Sequence, residues 1–488
     1  MNADYLALLH ALLPEASLVL GALIVLGFDL IAGHRLDPAE RTRAATVIGL
    51  IAIVAAVYHS IHAGIGGGVF GDVIALDSLG RATRVGVLGL TALTLLLLPG
   101  VLTLRHPAEY VAIVLFAATG FTLMAVAQQL LLAFLALELA SLSLYVLVGF
   151  DKTRPDAAEA ALKYFLFGGM SAAFLLFGFS LLYGLTGSIQ FGEISRQLAM
   201  QPLNPLLVVA LVMILAAFGF KAAAAPFHLW APDAYQGAPA SSAALVASAS
   251  KLAGFTLFVR LLWHGVGPIA GSVATREGAP GWLPVLAVIS LLSLLLGNFA
   301  ALAQTNVRRL LAYSAIAHAG ALMLGVMAAG KAGPAPLFYY ASTYGLATVG
   351  AFGVIAVVER ASGCQSIADL AGLHRRSPLL ASCLFIFILS LAGIPPLAGF
   401  FSKFSVFVAA LQLGGANSLA GGLTLLAILL SAVALYYYLA VLKQALVVAP
   451  TNARRIAVPA SAGCALVIAA ALLVLFGLWP SLILQLVR

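Results

Sequence analysis

The sequence predicts an all-α polytopic membrane protein of about 14 transmembrane helices, organised as two inverted five-helix repeats with one broken helix in each. Three observations carry this reading. Apolar residues fill 63% of 488 positions, charged residues only 9%, and the mean hydropathy is +1.09, a balance that a water-soluble domain does not sustain. Apolar runs of about 20 residues, long enough to cross a bilayer core, follow one another along the whole chain. Two of these runs are opened by Pro or Gly close to a lysine, at Lys221-Ala-Ala-Ala-Ala-Pro226 and at Gly393-Ile-Pro-Pro396, the latter about two turns before Lys403.

The spans fall roughly at 14–32, 44–63 and 82–103, which form an N-terminal group within residues 1–108. A first repeat within 109–264 then holds spans at roughly 109–127, 129–150, 157–184, 204–230 and 238–264. A second within 282–446 holds spans at roughly 282–303, 308–329, 333–358, 378–410 and 419–446. Residues 447–488 add a last helix at roughly 455–486. Five is an odd number, so consecutive five-helix units enter the membrane in opposite senses and the repeat must be inverted. The freed backbone groups at Ala225 and Ile394 require water or polar partners.

An even number of spans places both termini on one side, and the cationic loops say which. Arg35, Arg41, Arg43, Arg105, Lys152, Arg154, Arg308, Arg309, Arg360, Arg375, Arg376, Arg454 and Arg455 lie in the odd-numbered loops. The opposite side holds Arg81, Arg196, Arg276, Lys331 and Arg488. Positive loops stay cytoplasmic, so both termini are expected outside, on the periplasmic face of a bacterial inner membrane. The net charge of +8 is mostly this loop bias and gives no reason to expect a nucleic-acid partner. The start Met-Asn-Ala-Asp-Tyr lacks the basic region of a cleavable signal.

Missing motifs exclude several classes of function. Cys364, Cys383 and Cys464 are scattered, with no C-x-x-C pair and no zinc or iron–sulfur spacing. No Walker motif or strand-placed dinucleotide fingerprint occurs, so energy must come from an ion gradient or a partner. Gly66-Gly67-Gly68, before the third helix, reads as a flexible turn.

The chemistry therefore rests on titratable residues inside the spans. Glu138 lies near the middle of the fifth, where an unpaired carboxylate is costly and a lysine partner is expected; a static ion pair is the alternative. Lys163 sits about two turns into the sixth, within snorkelling distance of the positive-inside surface. Lys221 and Lys251 are too deep to snorkel. Burial disfavours an ammonium and a nearby carboxylate favours it, so a buried lysine can be toggled between protonation states, which an arginine cannot. Deep lysine without deep arginine therefore points to a proton relay. Ser241, Ser242, Ser248 and Ser250 precede Lys251 and either carry protons or only pack. His228 follows Lys221 by two turns and either relays or caps the break. His318, mid-span in the tenth helix, either passes protons or bonds a neighbour, with Tyr313, Thr343 and Tyr344 as flanking candidates.

The segments FGFKAAAAPFHLWAPDAYQGAP, NVRRLLAYSAIAHAG and GIPPLAGFFSKF resemble the antiporter-like membrane subunits of respiratory complex I, and the likeness covers nearly the whole chain. The segment FLALELASLSLYVLVGF and the length fit one branch of that family. Two departures separate it from others: subunit M carries a Glu where this chain has Lys403, and subunit L continues into a long lateral helix not expected after Arg488. The resemblance implies a proton-translocating subunit of NADH:quinone oxidoreductase, driven by quinone reduction elsewhere. It implies Glu138 and Lys221 as the acid and base of the first half, Lys251 as central relay, His318 as link and Lys403 as second-half lysine. Lys163 would stand near the cytoplasmic mouth. FMN, iron–sulfur clusters and quinone would belong to partner subunits, with none in this chain. Partners would be subunit M, small subunits of the J and K types, the peripheral redox arm and lipid. The alternatives are an Mrp-type cation/proton antiporter subunit and a non-pumping assembly scaffold.

Overall fold

A computed structural model describes residues 2–64, 66–69, 71–102, 104–276, 278–363, 365–450 and 454–487; Cys364 and Arg488 lie outside them. Among the described residues, thirteen helices are long and apolar enough to cross a membrane. The remaining expected span, the twelfth, is present in two pieces, Pro378–Ala392 and Ala398–Leu411, each too short alone to cross a hydrocarbon core of about 30 Å.

The helices fall into a buried set and a peripheral set. Ala240–Gly265 is buried along all of its apolar window, and Val307–Ala332 and Ala335–Ser362 along 94% of theirs. These three carry Lys251, His318, Tyr340 and Tyr344. Pro155–Thr186, Leu419–Leu446 and Ala460–Leu478 expose one apolar face each, as expected where lipid is the solvent.

Small residues bring the buried helices close. Trp282–Leu302 and Val307–Ala332 touch where a Cβ added to Gly297 would lie 2.4 Å from the Ala317 backbone nitrogen. Only glycine permits that approach, and it fixes the helix one residue before His318.

Several boundaries differ from the pattern in the sequence. The second span starts at Pro38, six residues early, because proline at the first helical position is pre-organised for a helix. The seventh stops at Ala222 and resumes as the short helix Trp230–Gly237. The eighth is broken at Ser248, with φ −115° and ψ −85°, and winds as a π-helix over Arg260–Gly265, neither of which apolar periodicity could register. The last span ends at Leu478, before the Trp479-Pro480 turn. Gly67–Val69 is a strand paired antiparallel with Ile74–Leu76, not a flexible glycine turn.

Arginine is also buried, against expectation. Arg84 is 2% exposed and bonds Glu15 at 2.9 Å, and Arg260 is completely buried. Both lie near span ends and have carboxylate partners, which a loop-by-loop charge count does not reveal.

Replacing Gly297 by Val should separate these two helices and displace His318. The expected loss is about 1–3 kcal/mol of stability, seen as a lower thermal transition of the detergent-solubilised protein; an unchanged transition would show that the contact is not needed.

Candidate functional site

Both breaks are made by the same backbone device. The first helix ends with Ala223 in the left-handed region, φ 58°, and the Ala224 amide donates back to the Gly219 carbonyl at 2.8 Å. The second ends with Gly393, φ 88°, and the Ile394 amide donates to the Leu389 carbonyl at 3.0 Å. This is the Schellman closure of a helix C-terminus. The remaining groups find protein partners: the Ala225 amide donates to Ser293 Oγ at 2.9 Å, and Trp230 Nε1 donates to the Phe220 carbonyl at 3.1 Å. Thus the Ala225 and Ile394 amides are satisfied by protein.

Lys221 lies in the last turn before the first break, 5% exposed, and Nζ donates to Ser141 Oγ at 3.1 Å. Glu138 stands one turn before Ser141 on Leu130–Val148 and within electrostatic reach of Lys221. No direct Glu138–Lys221 ion pair forms among the described residues, and the hydrogen bond of Lys221 goes to the Ser141 hydroxyl. Lys221 and Lys251 line one small cavity with Phe218, Gly254 and Phe258. Its volume, about 10 Å3, is close to what a single water needs.

Lys251 is 3% exposed, and Nζ donates to the Ala315 carbonyl at 2.7 Å, one turn before His318. Its Nζ also stands 5.4 Å from the centre of the Tyr344 ring, which packs 4.8 Å from the His318 ring. His318 is held between two hydroxyls, with Nδ1 2.9 Å from Tyr340 and Nε2 3.1 Å from Tyr438. A neutral imidazole donates through one nitrogen and accepts through the other, so both tautomers can be satisfied here. Tyr438 also bonds Ser314 Oγ at 2.5 Å. Beyond His318 a second cavity, about 20 Å3, is lined by His318, Asn298, Tyr340, Tyr437, Ser431 and Lys403.

Lys403 follows the second break, and its Nζ donates to the Ala392 carbonyl at 2.9 Å, at the C-terminal end of the preceding half-helix. A cation there satisfies an open carbonyl and complements the helix dipole. The side chain lies across Gly393, where an added Cβ would come within 3.0 Å of Lys403 Cδ. Ser402, its neighbour, bonds Thr343 Oγ1 at 2.6 Å.

Other expected residues lie elsewhere. Lys163 is partly exposed and bonds Glu159 at 2.6 Å and Asp233 at 2.8 Å. Asp233 also bonds Arg309 at 2.6 Å, so one carboxylate on the short helix after the first break clasps cations from both halves. Tyr313 faces Arg309. His228 is buried in the turn of the first break, and its Nδ1 has no hydrogen-bond partner. Ser241 and Ser242 both bond Tyr110 at 2.8 Å, and Ser248 bonds its own helix at Ala244. The sequence reading missed Ser141, Asn298, Tyr340, Tyr437 and Tyr438. Hydroxyls and an amide in apolar runs look like packing until the fold brings them together, and the only available signal was the Tyr436-Tyr437-Tyr438 run in a lipid-class helix.

A series of buried cations and one histidine, strung between two opened helices of a multi-pass bundle, defines an antiporter-like membrane subunit. The sequence family described as "NADH:quinone oxidoreductase/Mrp antiporter, TM" matches residues 127–431. NADH-quinone oxidoreductase subunit N 2 of Acidobacterium capsulatum is 47% identical, covering 99% of both chains. A chain of Thermus thermophilus respiratory complex I superposes with a TM-score of 0.80 at 34% identity, covering 97% of this chain and 98% of that one. A chain of the Mrp complex from Dietzia superposes with a TM-score of 0.81 over 98% of this chain and 96% of that one; at 20% identity it shares the fold alone. The chain belongs to the NADH-quinone oxidoreductase subunit N family, within the antiporter-like membrane subunits of complex I.

The Asp233 clasp has a defined pH dependence. Burial opposes ionisation of this carboxyl, but the bonds and charges of Lys163 and Arg309 outweigh it and hold Asp233 below its ordinary value of 3.8. A depressed carboxyl stabilises fully above its unfolded value and loses that contribution as pH falls through the folded one. The stability difference between wild type and Asp233→Asn should therefore be flat from about pH 5 to 8 and shrink only below about pH 4. Thermal dissociation of the solubilised complex measures it, and a difference that vanishes near neutrality would exclude the clasp.

Proposed function

We propose that this subunit translocates protons through Glu138, Lys221, Lys251, His318 and Lys403, driven by quinone reduction in partner subunits. In this reading a disturbance of the Glu138–Lys221 pair changes the proton occupancy of Lys251, which passes a proton through His318 to Lys403. The observation that carries it is the order of the groups. One small cavity is shared by Lys221 and Lys251, the next by His318 and Lys403, and the Ala315 carbonyl and Tyr344 ring bridge the gap between them. Lys163 belongs to the mouth at the positive-inside surface, where its carboxylate partners would feed or gate the path. The two similar breaks support the division into repeats at 109–264 and 282–446, flanked by 1–108 and 447–488.

The energetics are modest. Moving one charge against 100 mV requires about 2.3 kcal/mol, the equivalent of a change of between one and two pKa units. A displaced carboxylate in a low-dielectric interior supplies that readily. FMN, iron–sulfur clusters and quinone belong to partner subunits in this proposal. The partners are subunit M, the small J- and K-type subunits, the redox arm and lipid. The membrane is the bacterial inner membrane, with both termini periplasmic because cationic loops stay inside.

The test is proton pumping against NADH oxidation in membranes whose only copy carries Lys221→Ala, with assembly followed on native gels. Both rates should fall by at least about tenfold, roughly 1.4 kcal/mol in barrier, while assembly is intact. Normal rates in an assembled complex would remove Lys221 from the relay. Sodium-stimulated proton exchange without redox partners would favour an antiporter, and parallel loss of assembly and pumping a scaffold.

A further inference from the structure

The helix that carries Lys251 ends in a buried cation that the relay does not use. Arg260 is 0% exposed. Its Nη1 and Nη2 donate to Asp77 at 2.8 and 2.5 Å, and Nε donates to the Ala125 carbonyl at 2.8 Å. Asp77 is itself fixed, because Oδ1 also accepts from the Gly80 amide and caps Ser78–Leu96. Gly80 makes the room: an added Cβ would stand 3.1 Å from Arg260 Nη2. The guanidinium is held at three points and can neither swing nor lose its proton.

Its two sides differ. On one, an open polar cavity of about 300 Å3 is lined by Asp72, Asp77, Gln128, Gln190, Glu193 and His264. Asp77 is 40% exposed in its side chain, so water screens the carboxylate while the guanidinium stays in the dry interior. On the other side lies Lys251, nine residues back and about 13 Å away by helix rise. Between them, Thr256 bonds Thr83 at 3.1 Å and borders a small cavity with Phe255 and Val259. The polar cavity gathers segments that follow even-numbered spans, the face opposite the positive-inside loops.

We infer that Arg260, locked by Asp77, is an electrostatic barrier between an outer aqueous vestibule and Lys251, holding back protons that would otherwise re-enter from the outside. A cation fixed in the dry interior between the vestibule and Lys251 opposes protons without moving. Asp77 is a positioning residue whose carboxylate keeps that cation in place. This rests on the reading that Lys251 carries protons, and it adds a retention function that the relay alone does not possess.

The experiment uses the whole complex in proteoliposomes without NADH, with membrane potential clamped, and follows decay of an imposed pH gradient. The pair Arg260→Met with Asp77→Asn removes both charges and leaves no orphan. Decay should accelerate about fivefold, the effect of a dry unit charge about 13 Å away at an effective dielectric near 20 less the opposing pull of a water-screened carboxylate. Arg260→Lys keeps the cation, and Asp77→Asn alone keeps both the cation and a carbonyl oxygen to hold it, so each should leak no faster than wild type. Adding Lys251→Met to the double variant should abolish the extra leak. An unaltered decay in the double variant would overturn the barrier. So would an equal leak in Asp77→Asn alone, which reports a structural defect, or a leak that survives Lys251→Met, which bypasses the relay. Loss of pumping in Lys251→Met by itself is judged separately and tests only the relay.

Discussion

In hydrocarbon no water is available to accept a charge or a released backbone group, so each must be satisfied by protein. Much of this structure follows from that condition. Lys251 donates to a helix carbonyl at Ala315, Lys403 to one at Ala392, and Lys221 to the Ser141 hydroxyl. None of the three is locked to a carboxylate within bonding distance among the described residues. A neutral amine and an ammonium can both donate to such partners, so the same contacts serve either protonation state. Three buried arginines follow the opposite rule. Arg84, Arg260 and Arg308 each have a carboxylate partner, Glu15, Asp77 and Glu359 in turn, as suits a cation that never gives up its proton.

The opened helices depend on the same condition. A helix interrupted at membrane depth exposes carbonyls at one end and amides at the next beginning. Here a Schellman turn closes each carbonyl end, Trp230 and Lys403 cover what remains, and Ser293 reaches from a neighbouring helix to the Ala225 amide. The lysine of the second break is therefore both a relay candidate and a structural cap. A change in its protonation would weaken or strengthen its hold on the preceding half-helix, which ties charge to backbone position in one side chain.

The site was legible where charge stood out against an apolar background. Glu138, Lys221, Lys251, His318 and Lys403 are visible because each breaks a long hydrophobic run; Lys221 and Lys251 share one small cavity, His318 and Lys403 the next, and Glu138 is half-buried outside both. Lys163 also broke a run, but its depth was ambiguous, and it ends at a surface cluster with Glu159 and Asp233. Tyr340 and Tyr438 were not legible. They come from different helices, nearly a hundred positions apart, and converge on His318 only through the packing of Val307–Ala332, Ala335–Ser362 and Leu419–Leu446.

By itself the sequence determined the class of protein, the spans, the two breaks and the buried titratable groups, because hydrocarbon length and the cost of burying charge act on composition and local pattern. Only the tertiary structure decided which carbonyl or hydroxyl each charge rests on, that Lys221 bonds Ser141 and no carboxylate among the described residues, and that Arg260 closes the Lys251 helix. It also decided the break at Ser248 and the π-turn after Val259. These are contacts between segments distant in sequence or backbone adjustments imposed by close packing. Neither leaves a periodic trace in the residues themselves.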